Sequence, residues 1–108
     1  MNETLYAILS AHAETFHIAI DGNPETAILY AQYDQQDEAF ESDNPLSERF
    51  FFRVAILQQE RDETLIDAVK ADLRANGWRI SGPTDFFNGE RQRYQHEFNL
   101  TKWRMKPC

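Results

Sequence analysis

The octapeptide Phe50-Phe51-Phe52-Arg53-Val54-Ala55-Ile56-Leu57 constrains this chain more than any other stretch. Side chains of an extended strand alternate between two faces. Phe50, Phe52, Val54 and Ile56 therefore share one side, and Phe51, Arg53, Ala55 and Leu57 the other. Both sets are mainly apolar, which predicts a central strand covered by helices on one face and partly covered on the other. Arg53 is the exception. It either pairs with a carboxylate at the sheet surface or marks a face that a partner covers.

Upstream, residues 27–33 form a second apolar and aromatic strand, and residues 34–48 connect the two. The connection holds Asp34, Asp37, Glu38, Glu41, Asp43 and Glu48 and no lysine or arginine. It reads as an acidic loop of about fifteen residues, a length that compact domains reserve mostly for functional segments. Phe40 and Leu46 interrupt it: either one folds back on the domain, or both anchor a neighbour. Asn44-Pro45 marks the turn back. The carboxylates lack the Asp-x-Asp-x-Asp-Gly order and closing Glu of a calcium loop, so no metal is expected there.

Residues 2–14 have helical spacing, with Leu5, Ile8, Leu9 and His12 on one face. Phe16, Ile18 and Ile20 then alternate with His17 and Ala19 as a short strand. The turn signal Asp21-Gly22-Asn23-Pro24 predicts a hairpin between that strand and residues 27–33. A second helix spans residues 62–76, with Leu65, Ile66, Val69 and Leu73 as its buried stripe and Asn76-Gly77 as its end. Residues 78–80 begin a strand that Ser81-Gly82-Pro83 places at an edge or a bulge. Asn88-Gly89 signals a hairpin. The final strand, residues 93–104, turns Tyr94, His96, Phe98 and Leu100 inward. The expected order is α-β-β-β-α-β-β, one α+β domain over residues 1–108. It has a single mixed or antiparallel sheet of about five strands.

Charge is distributed unevenly. Residues 1–48 hold ten acids and no lysine or arginine, whereas residues 49–108 hold all eleven basic residues against eight acids. The halves thus carry −10 and +3, within a net charge of −7. Either a solvated loop and a solvated helix differ by chance, or one copy's acidic pole meets the next copy's basic one. The net charge argues against general nucleic-acid binding. No apolar run approaches the roughly 20 residues of a membrane span, and the start lacks a basic n-region. The lone Cys108 excludes an internal disulfide framework.

Catalytic signatures are missing: there is no Gly-x-Ser-x-Gly, His-Glu-x-x-His or Walker loop, and no cysteine pair for zinc. His12, His17 and His96 fall on separate elements. No enzyme activity, catalytic residue, metal or cofactor is expected. A small enzyme using an exposed carboxylate is the least favoured reading.

Three stretches carry a family resemblance: AILYAQYDQQDEAFESDNPLSERFFFRVAI, LIDAVKADLRANGW and DFFNGERQRYQHEFNLT. The aromatic strand entering an acidic stretch, the DNPLSERFFFRVAI return strand, the V-x-x-x-L-x-x-x-G-aromatic helix end and the closing Y-x-H strand resemble tail-terminator or tail-completion proteins of siphophages and prophages. The likeness runs from about residue 27 to 101. It implies a non-enzymatic virion-tail component, found in the host cytoplasm during assembly. It also implies a homo-oligomeric ring, hexameric by the family's habit, that caps the tail tube near the head-to-tail junction and meets tail-tube and head-completion proteins. No membrane partner and no sequence-specific nucleic acid is implied. The candidate subunit interface joins Asp34, Asp37, Glu38, Phe40, Glu41, Asp43 and Leu46 to the basic Arg91, Arg93, Lys102 and Arg104 of a neighbour. The rival reading is an acidic protein-binding module, a nucleic-acid mimic or an inhibitor of a host enzyme.

Overall fold

A computed structural model describes residues 2–41 and 44–105, with side chains detailed for residues 3–33 and 49–103. Its elements are α1 (Asn2–Ser10), β1 (Thr15–His17), β2 (Thr26–Glu41), β3 (Asn44–Gln58), α2 (Glu63–Ala75), β4 (Arg79–Asn88) and β5 (Arg93–Met105). The strands form one five-stranded sheet in the order β1-β2-β3-β5-β4. β3 lies at its centre, as its two apolar faces require. The fold is α+β, with the expected element order.

Both helices pack on one face of the sheet. Leu5, Ile8 and Leu9 of α1 and Ile66, Val69 and Leu73 of α2 close over Phe50, Phe52, Val54 and Ile56, joined by Ile28, Phe98 and Leu100. Trp78 meets Phe52 edge-on at 5.5 Å between ring centroids. Asp62 caps α2 by accepting from the Thr64 amide at 2.9 Å, which satisfies one orphan donor of its first turn. Phe52, Val54 and Ile56 are wholly buried.

Three expectations fail at residues 11–48. First, residues 16–20 do not form a hairpin with β2: β1 pairs with it in parallel, Thr15 opposite Ile28 and His17 opposite Tyr30. The strand ends early because Ile18 adopts φ +75° and the Ala19 amide bonds back to the His17 carbonyl at 2.9 Å, a γ-turn. Ile18 is accordingly 69% exposed rather than inward. Second, α1 stops at Ser10, four residues short of the expected end. Third, residues 34–48 are not a loop. β2 and β3 stay paired from Thr26↔Gln58 to Glu41↔Asn44, so the acidic stretch is the outer end of a long β-hairpin. Continuing the ladder pairs the backbone groups that the two strands turn toward each other, which a fifteen-residue loop would leave to water. Pro45 lies beyond the last described β3–β5 pair, Ser47↔Met105, where among the described residues β3 has a neighbour on one side only and a missing N–H is tolerated.

The hairpin lengthens the molecule to 52 × 25 × 23 Å, with a radius of gyration of 15.3 Å. A compact chain of this size would have about 13 Å. β4 is the opposite edge strand, with a register shift between Ser81 and Thr84 as Gly82-Pro83 implied. Tyr94 is 46% exposed, a further departure, because it lies at the end of β5 past the helical cover. Phe52→Ala should cost about 3–5 kcal/mol, read as a lowered urea midpoint with an unchanged slope.

Candidate functional site

The acidic hairpin is an arm. From Asp34 to Glu41, β2 runs about 25 Å at the usual strand rise. Among the described residues β5 accompanies it only as far as Ser47↔Met105, and there the pairs Phe40↔Pro45 and Glu41↔Asn44 form a two-stranded ribbon. A β-bulge forms its root: Gln32 faces Phe52 and Asp34 faces Phe51, leaving Tyr33 as the extra residue. Bulges bend a strand and sharpen its twist, so Tyr33 sets the arm's direction. Of the expected interface residues, Asp34, Asp37, Glu38, Phe40, Glu41 and Leu46 all lie on the arm's strands. Asp43 lies outside the described residues.

The basic half of the expected interface is engaged within the chain. Arg91 donates from Nη1 to the Gly22 carbonyl at 2.8 Å. Arg93 donates from Nε to the Pro24 carbonyl and from Nη2 to the Asn23 carbonyl, both at 3.1 Å. These two arginines lash the segment 18–25 to the turn between β4 and β5. Lys102 donates from Nζ to the Asn76 carbonyl at 2.9 Å and stands 5.3 Å from the Trp78 ring centroid, closing the end of α2. Arg104 takes a register position opposite Glu48, itself opposite Asp37, so it stands in one row with the root of its own arm.

The sheet face away from the helices carries a band that charge counting missed. Arg53 Cζ lies 5.8 Å from the Tyr33 ring centroid, and Tyr33 lies 5.8 Å from Phe51. Arg49 reaches Phe51 at 4.9 Å and Trp103 at 5.5 Å, and Arg79 reaches Trp103 at 5.4 Å. Cations and rings thus alternate across the sheet, each pair within cation–π range. Asn99 Oδ1 accepts from Arg53 Nε at 3.3 Å. A Cβ at Gly82, whose φ is +60°, would stand 2.9 Å from Asn99 Nδ2, so the β4 bulge needs glycine to keep Asn99 where it meets Arg53. Only Arg53 was legible as unusual. Bringing Tyr33, Trp103 and Arg79 beside it takes the register of four strands.

On the helical face, a cleft of about 310 Å³ opens at the end of the sheet, lined by Arg61, Ile66, Asp85, Phe87, Tyr94 and His96 among others. Asp85 Oδ1 accepts from buried His96 Nδ1 at 2.7 Å and from Arg61 Nη2 at 3.2 Å. The hydrogen bond from His96 chiefly holds the Asp85 carboxyl below its ordinary value of 3.8, outweighing desolvation, with the charges of His96, Arg61 and Lys70 adding to it. His96 Nε2 is buried without a hydrogen-bond partner among the described residues. No Ser, Thr, Cys or Lys lines the cleft. The arrangement orients an imidazole and keeps a carboxylate ionised. His96 is the core-edge histidine its strand position implied. His12 bonds Asp72 at 3.0 Å, and His17 stacks on Tyr30 at 4.8 Å, so the three histidines stay apart. Among the described residues no three metal-ligating side chains converge, and no helix is long and apolar enough to cross a membrane.

No protein-family model matches the chain, and no curated protein matches it.

Two measurements follow from this geometry. The depressed Asp85 value contributes stability that is complete above 3.8 and lost as pH falls through the lower folded-state value. Asp85→Asn should therefore flatten the acid limb of a stability curve taken by urea unfolding at stepped pH. Replacing both Arg91 and Arg93 by alanine should cost about 2 kcal/mol or more and speed amide exchange in residues 18–25.

Proposed function

We propose that this chain is a structural subunit of a phage or prophage tail, a tail terminator that assembles with copies of itself into a ring at the end of the tail tube. The acidic arm carries this reading. A two-stranded ribbon is marginal in water unless something covers it, and the sequence of residues 34–48 holds six acids and no lysine or arginine. Such a ribbon gains most by lying against a partner that supplies apolar cover and positive charge.

The outer edge of β2 supports the same reading. β1 pairs only with Ile28, Leu29 and Tyr30, so among the described strands β2 has no second neighbour from Ala31 to Glu41. Charged residues along such an edge discourage indiscriminate strand pairing while leaving room for one matched partner. A ring needs two different complementary patches per subunit, and its closure removes both from solvent. Exposed ion pairs contribute only about 0–1 kcal/mol each, so charge sets the register and buried apolar contact supplies most of the affinity.

Sedimentation velocity across a concentration and salt series tests the assembly, with salt-sensitive association as the expected result. In a tail-assembly assay, the double charge reversal Asp37→Lys and Glu38→Lys should stop tails from joining heads. Intact particles made with that variant would remove the arm from the proposal. Flanking genes for a major tail protein and a head-completion protein would place the chain in the same assembly.

A further inference from the structure

We propose that the cation–aromatic band on the open sheet face, centred on Arg53, Tyr33, Phe51, Trp103 and Arg79, receives the acidic arm of a second copy of this chain. The inference rests on the self-assembly reading and names the surface that reading needs.

The band has the chemistry of a receptor for carboxylates. Tyr33 is 54% exposed, an unusual presentation for a large ring unless something covers it. Arg53 and Arg79 are exposed as well, and no described carboxylate lies within ion-pair distance of either. An arginine stacked on a ring keeps its edge N–H donors directed outward, and its weak hydration makes it cheap to bury against a carboxylate. Glu97, half-buried and opposite Ala55, is the one described acid along the β5 rows of this face.

Charge and geometry point to the occupant. The chain's most acidic segment is residues 34–48, and the first 48 residues contain no lysine or arginine. The root of the arm borders its own band, with Asp34 opposite Phe51 and Gln36 opposite Arg49, but the rest of the arm runs away from Arg53 and Arg79. It leaves the sheet along the strand direction, and its ladder is unbroken from Asp34↔Phe51 to Asp37↔Glu48, so folding back would sever those pairs. The contact is therefore made in trans, between two different patches, and it repeats from subunit to subunit. It takes a basic partner other than the one expected from sequence: Arg91, Arg93 and Lys102 bind backbone carbonyls of their own chain, whereas Arg53 and Arg79 are exposed. Arginines and rings on a sheet also suit single-stranded nucleic acid. The net charge of −7 and an acidic arm rooted beside the band disfavour a phosphate backbone there.

The test is a charge-swap cycle on the full chain. One variant reverses the band (Arg53→Glu with Arg79→Glu), and the other reverses the arm (Asp37→Lys with Glu38→Lys). Each alone should weaken self-association by about tenfold or more in sedimentation velocity. An equimolar mixture should recover it, because each variant's arm then meets the opposite charge on the other's band. Recovery also shows that both variants fold. A band variant that assembles as tightly as the unaltered chain overturns the docking surface and leaves self-assembly standing. An unaltered chain that stays monomeric at millimolar concentration overturns both. Tight binding of a labelled oligothymidylate that the band variant loses, with self-association unchanged, also overturns the docking surface and makes it a nucleic-acid platform.

Discussion

The antiparallel pairing of β2 with β3 holds two unlike environments on one ladder. At the Thr26↔Gln58 end its side chains lie under the helices, where Ile28, Val54 and Ile56 are removed from water. At the Glu41↔Asn44 end no third strand accompanies the pair among the described residues. The hydrogen-bond pattern is common to both ends, but composition is not. Burying a side chain such as Ile56 stabilises by roughly 1.5–3 kcal/mol, and several such groups fix the register near the core. An acidic ribbon then extends outward from that fixed register, which its own composition would not select.

Where the sequence was legible, burial had written it. β3 announced itself through two apolar faces, and α2 through Leu65, Ile66, Val69 and Leu73 between a capping Asp62 and Asn76-Gly77. The β4 bulge was visible in Gly82-Pro83. The arm was not, because residues 34–48 have no apolar alternation, and aspartate and glutamate are poor strand formers. Nor was the parallel pairing of β1. Asp21-Gly22-Asn23-Pro24 does reverse the chain, but Ile18 has already turned it away, and a γ-turn on a β-branched residue has no composition signature.

Arginine roles were the least legible part of the candidate site. Arg91 and Arg93 sit two apart on a solvated turn, as surface cations usually do, yet their guanidinium groups satisfy carbonyls of residues 20–24. Arg53 sits in the middle of the most apolar strand and is exposed. Formal charge was the same in each case. What separated them was the presence of a carbonyl cluster within reach, and only the folded chain brings residues some seventy positions apart into range.

That separation bears on the order in which the molecule forms. Segment 18–25 depends for its anchors on Arg91 and Arg93, and β1 depends on a strand that follows it in the chain. Contacts of such long sequence separation close slowly, because the loop entropy is lost before they form. As the polypeptide is synthesised, residues 18–25 emerge early and wait for their arginine anchors until the β4–β5 turn is complete. Through that interval the three-residue β1 holds the edge of β2 from Ile28 to Tyr30 by its own short ladder alone, so the newly made chain is most open to mispairing at a strand the finished one protects.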